Sequence, residues 1–164
     1  NNISFPVNYH QNISEFFTST SNVEILPDVT PELTITGEGL ADLGWKALPA
    51  KVSKGAQSSL LHLVSELAAE QHEYLMVMET SDSTILDVLQ KDDMGLFCKA
   101  LGNLGICFVV IYLNEDGEKL SHQFFWVNQA MPVNMPPECR KVQLGFRIQG
   151  KGTCDFEAVE VGEF

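Results

Sequence analysis

Residues 106–113 (ICFVVIYL) form an unbroken run of eight apolar residues, followed by Asn114-Glu115-Asp116-Gly117 and then by a second strand-like stretch, residues 119–127. This feature constrains the fold most. The run is far short of the ~20 apolar residues that cross a bilayer, and it has the length of a buried strand. Asp116-Gly117 between two strand patterns predicts a hairpin, because glycine adopts the positive φ that a tight turn demands. A chain organised on such a hairpin needs further strands to cover it.

Those strands are legible by period-two alternation. Residues 74–80 (YLMVMET) read as a strand closed by Ser81-Asp82. Residues 142–148 (VQLGFRI) alternate, with Val142, Leu144, Phe146 and Ile148 on one face, and Gln149-Gly150-Lys151-Gly152 turns the chain into residues 154–161 (CDFEAVEV). The alternation changes phase at Ala158, which predicts a bulge. Upstream, residues 13–18, 23–26, 33–36 and 45–52 read as extended segments, with Gly37-Glu38-Gly39 as a turn. Residues 87–95 read as loop or a short helix. Residues 58–71 are ambiguous. Leu60, Leu63, Val64, Leu67 and Ala68 fall at helical spacing with Ser58 or Ser59 as cap, whereas Leu61, Leu63, Ser65 and Leu67 share one face of a strand. Local propensity favours the helix.

Length suits one domain spanning 1–164, attached to or cut from a larger protein. The balance of 10 Lys+Arg against 22 Asp+Glu gives a net charge of −12, which repels phosphate backbones and anionic lipid. Nucleic acid and membrane are therefore not expected partners. The opening Asn1-Asn2-Ile3-Ser4 has no basic or apolar leader pattern, so no signal peptide is expected. Cys98, Cys107, Cys139 and Cys154 include no C-x-x-C pair, and spacing leaves their disulfide state open. The sequons Asn2-Ile3-Ser4 and Asn12-Ile13-Ser14 matter only in a eukaryotic secreted protein. Compartment and oligomeric state stay open.

From Tyr74-Leu75-Met76-Val77 through Phe108-Val109-Val110-Ile111-Tyr112 and the Asp116-Gly117 turn to Val142–Ile148 and Asp155–Val161, the order of strands and turns resembles the jelly-roll, galactose-binding-like β-sandwiches of carbohydrate-binding modules. The likeness covers residues 58 to the C-terminus. It implies an all-β antiparallel sandwich with one or two short helices at most, and it turns residues 58–67 into a strand. It also implies a ligand surface on one sheet or its loops. Such modules often hold a structural calcium, for which Asp155 and Glu157 are the metal candidates; no other cofactor is expected.

Chemistry is sparse. The sequence lacks G-x-S-x-G, G-x-x-x-x-G-K-[ST] and H-E-x-x-H. His10, His62, His72 and His122 are scattered. Sugar recognition needs flat apolar rings and planar polar groups, which nominates Trp45 and Trp126 as platforms with His122 and Asn128 beside Trp126. Alternation puts His122, Phe124, Trp126 and Asn128 on one face and Phe125 and Val127 on the other, and either face could be core. Two functions follow: a non-catalytic carbohydrate-binding module, or a protein-interaction or assembly domain appended to an enzyme. A small hydrolase on a β scaffold would need convergent carboxylates or histidines, which the sequence does not show.

Overall fold

The structure, a computed structural model, describes residues 30–57 and 60–164. The segments expected at 13–18 and 23–26, the sequons, His10, Ser58 and Ser59 lie outside the described residues. In chain order the elements are β1 (Thr30–Thr36), α1 (Gly37–Asp42), β2 (Val52–Gln57), β3 (Leu60–Glu66), β4 (His72–Thr80), α2 (Ser83–Leu89), β5 (Met94–Gly102), β6 (Gly105–Leu113), β7 (Lys119–Trp126), β8 (Ala130–Pro132), β9 (Lys141–Gln149) and β10 (Lys151–Glu163). They form two antiparallel sheets packed as a sandwich, which is the expected fold class. One sheet has four strands in the order β4-β9-β6-β7; the other runs β2-β3-β10-β5-β8, with β1 also paired to β10.

The hairpin forms as its sequence demands. Gly117 takes φ 81°, and Asn114 Oδ1 accepts from the N–H groups of Asp116 and Glu118, both at 2.9 Å. β6 then pairs β7 on one side and β9 on the other, so its flanks are both filled. Phe108 and Phe146 project from this sheet and meet Phe156 of the other; the Phe146–Phe156 centroids are 4.6 Å apart and T-shaped. Each of these rings is at most 1% exposed. Burial of one such side chain is worth ~1.5–3 kcal/mol, so this cluster is the main bond between the sheets.

Strand β10 carries the second sheet. Its first half pairs β3, its second half pairs β1, and β5 lies along the other side, with a register shift between Phe156 and Ala158. The bulge read from the phase change is therefore present. Residues 60–66 are strand, not helix. Leu61, Leu63 and Ser65 face inward at period two, and the Ser65 hydroxyl donates to the Gly150 carbonyl at 2.6 Å. Sheet pairing overrides the local helical spacing there.

Several expectations are corrected. Residues 37–39 open a short helix rather than a turn, with Thr36 Oγ1 accepting from Gly39 N–H at 3.0 Å as its cap. Residues 45–52 are not one strand. Trp45 makes an isolated bridge to Val77, and β2 begins only at Val52. The helix near 87 lies earlier, at Ser83–Leu89, capped by Asp82. The turn expected at Gly150 is present, with Gly150 at φ 76°, and it carries the chain from β9 in one sheet to β10 in the other. All four cysteines are free and buried.

Candidate functional site

The outer face of the four-stranded sheet is the surface on which exposed rings and unpaired cations converge. Strand alternation puts His72, Tyr74 and Met76 of β4 there, with Arg147 and Gly145 of β9 and His122 and Phe124 of β7. Tyr74 is 45% exposed. Its ring lies parallel-offset to Phe124 at 6.5 Å, although two strands separate their backbones. His72 meets the edge of Tyr74 at 5.9 Å, and His122 tilts against Phe124 at 5.1 Å. A row of four rings thus crosses the sheet. Gly145 lies in the row that runs from Met76 through Val109 to Phe124. Any side chain there would collide with the Leu75 carbonyl and with Met76.

Arg147 is opposite Tyr74 on one side and Cys107 on the other. Burial pushes the Cys107 thiol up to about 12, and the positive charge of Arg147, its partner in the strand register, partly offsets this. Its Nη1 donates a long bond to Gln149 Oε1 at 3.4 Å. Among the described residues Arg147 makes no ion pair. The His122 imidazole is held below its ordinary range by desolvation and then by Lys119 nearby. At the His72 end, an open groove of about 470 Å³ is lined by Pro49, Lys51, Leu67, Gln71, His72 and Glu73.

The residues nominated from sequence fare differently. Trp126 is 2% exposed, so it is core and offers no platform. Phe125 and Val127 are buried as well. Alternation fails here because the chain folds back over the strand end, and Trp126 N–H points at Met131 Sδ at 3.2 Å. Trp45 is half-buried and stacks on core Phe146 at 6.0 Å. Its flanking backbone closes the β4 edge through Lys46 N–H to Met76 O at 3.1 Å and Met78 N–H to Gly44 O at 3.0 Å. Asn128 does not stand beside His122. It adopts φ 61°, and its amide both accepts from Ala100 N–H at 3.1 Å and donates to Ala100 O at 2.8 Å. Only His122 stays on the ring-bearing face.

The metal candidates part company too. Asp155 is 2.6 Å from His62 Nδ1, and Glu157 is 3.5 Å from Lys99 Nζ, so one acid faces an imidazole and the other a lysine. Among the described residues no group of three or more His, Cys, Asp or Glu could hold a metal ion. Tyr74, Phe124 and Arg147 escaped the sequence reading. Each sits correctly on an alternating strand, but only sheet order brings β4, β9 and β7 together.

No protein-family model matches the chain, and no curated protein matches it in sequence. Solved structures do resemble it. A chain from the crystal structure of accessory secretory proteins 1, 2 and 3 of Streptococcus pneumoniae superposes with TM-score 0.57 at 11% identity, covering 83% of this chain and 99% of that one. A chain of the glycosylation-associated Gap123 complex from Streptococcus agalactiae gives 0.52 at 12% identity, covering 73% of this chain and 43% of that one. The CBM22-1 xylan-binding domain from Paenibacillus barcinonensis Xyn10C is a looser likeness, with TM-score 0.42 at 14% identity. At these identities the likeness establishes the sandwich fold and nothing finer.

Proposed function

We propose that this chain is a non-catalytic interaction subunit of a multi-protein assembly, of the kind that handles secreted or glycosylated proteins. The observation that carries this reading is the fold match over 99% of one chain from the structure of accessory secretory proteins 1, 2 and 3. The Gap123 likeness points the same way. Two features of the molecule support a binding role over a catalytic one. The thiols are buried, and desolvation suppresses ionisation at Cys98, Cys107, Cys139 and Cys154. The His62–Asp155 pair is exposed to solvent rather than enclosed, and catalysis needs its reacting groups held in place.

The test is co-expression with the proteins encoded beside it, followed by size-exclusion chromatography with light scattering. A stable heteromeric peak is expected. A chain that elutes alone beside every such protein overturns the reading.

A second reading, glycan binding, is favoured by the Tyr74–Phe124 shelf, whose flat rings suit the apolar faces of sugars. Calorimetry against a polysaccharide panel with wild type and Tyr74→Ala tests it. Binding lost in the variant supports it, and no heat from any polysaccharide removes it.

A further inference from the structure

We infer that the outer face of the four-stranded sheet, from the groove at His72 across Tyr74 and Arg147 to Phe124, docks an acidic segment of a partner protein that also carries apolar side chains. This rests on the assembly reading above and names its surface.

Charge is the first argument. The chain carries a net −12, yet its acids and bases are sorted. The ion pairs His62–Asp155, Lys99–Glu157 and Lys151–Glu66 lie on the six-stranded sheet, and Lys91–Glu32 joins the end of α2 to β1. Among the described residues, no ion pair lies on the four-stranded sheet. Its outer face holds Arg147, Lys119 and Lys141 against one alternating acid, Glu79. The acids Glu115, Asp116 and Glu118 crowd the hairpin turn at one end. Arg147 and groove-lining Lys51 lie toward the opposite end, together with Glu73 of the groove lining and with Glu66 and Glu70 close by. Arg147 itself faces Tyr74 and Cys107 across its two neighbouring strands and no acid, so a carboxylate of an anionic segment is drawn to Arg147 and repelled from the turn.

Residue type is the second argument. Aromatic residues, Met and Arg are enriched in protein interfaces, and Tyr and Arg are over-represented among the side chains that dominate binding energy. Tyr74, Phe124, Met76 and Arg147 are that set. A neutral sugar would use the rings and leave Arg147 and Lys51 without counter-charge; a carboxylate-bearing peptide uses all of them. The groove shares His72 with the ring row, so an extended segment can enter it and continue over the shelf.

The test presents the whole chain to immobilised short peptides rich in Asp and Glu with Phe or Leu, to Lys-rich counterparts, and to acidic and neutral oligosaccharides. Acidic peptides are expected to bind, and to weaken as salt rises. Arg147→Glu and Tyr74→Ala should each weaken binding about tenfold or more, while Lys99→Glu on the other sheet leaves it unchanged. Thermal denaturation checks that the variants fold, and Arg147→Gln replaces the charge reversal where it does not. Lys-rich peptides that bind as well, variants that bind like wild type, or binding of oligosaccharides in place of peptides would each overturn the inference. A heteromeric peak that survives both variants sinks the docking surface and spares the assembly reading. A wild-type chain that forms no heteromer sinks both.

Discussion

Trp126 shows what a single residue's environment decides. Its side chain is buried in the core, while its backbone pairs opposite Cys107 and its backbone N–H points at Met131 Sδ. Trp126→Ala should therefore lower unfolding free energy by about 3–5 kcal/mol, read from urea denaturation, because it removes a large buried side chain and leaves a cavity. Tyr74→Ala, on the exposed face, should cost ~1 kcal/mol or less in the same experiment. His122 offers a pH readout. Its folded pKa is lowered by desolvation first and by Lys119 second. A lowered base pKa means the folded chain takes up its proton less readily than the unfolded chain. Stability from this group is thus full above the ordinary histidine range near ~6.5 and is lost as pH falls through the folded pKa. An NMR titration should place the His122 midpoint below that of an unfolded reference peptide, and Lys119→Ala should move it upward. A midpoint at or above the reference would contradict the packing described for β7.

At the scale of elements, irregularities do the positioning. The register of β4 against β9 shifts between Met76 and Glu79. The Val77 carbonyl at that shift is met by buried Gln143, whose Nε2 donates at 3.0 Å. This explains why a polar side chain is buried on β9: a buried acceptor left without a partner costs about 1–3 kcal/mol. Asn128 does equivalent work after β7. It supplies both halves of a backbone-like pairing to Ala100 of β5 while holding a left-handed turn. Asn128→Ala should destabilise by roughly 2–4 kcal/mol, combining lost bonds with backbone strain, and Asn128→Gly should recover the strain component only. Gly145→Val should be worse than either, because β4 backbone occupies the space where its side chain would go. Thermal melts of the three variants order these costs.

At the scale of the whole molecule, two sheets share one core, and the thiols report on its closure. Cys107 and Cys154 are pushed up to about 12 by burial, and complete desolvation also holds Cys98 well above the ordinary thiol range. Native protein should react with a thiol reagent only as fast as it unfolds, with all four cysteines modified together in denaturant. Rapid reaction of any one thiol in native buffer would show that the sandwich opens locally.

The sequence by itself determined the strands whose alternation is strong: β4, β6, β7, β9 and β10, the Asp116-Gly117 hairpin and the bulge after Phe156. Each depends on residues close together in the chain, where the pleat and the turn act directly. Strand β5 was not legible. Its residues Met94 to Cys98 are buried on both faces, because Phe97 packs with Ala130 and Phe164 outside the sheet while its neighbours pack inside, so no alternation marks it. Of the residues nominated from sequence, His122 alone lies on the ring-bearing face, beside Phe124. Tertiary structure alone decided that Trp126 is interior and that Tyr74, Arg147 and Phe124 are neighbours. Which strand lies beside which is set by long-range pairing and by side-chain packing between sheets, and no local pattern encodes it.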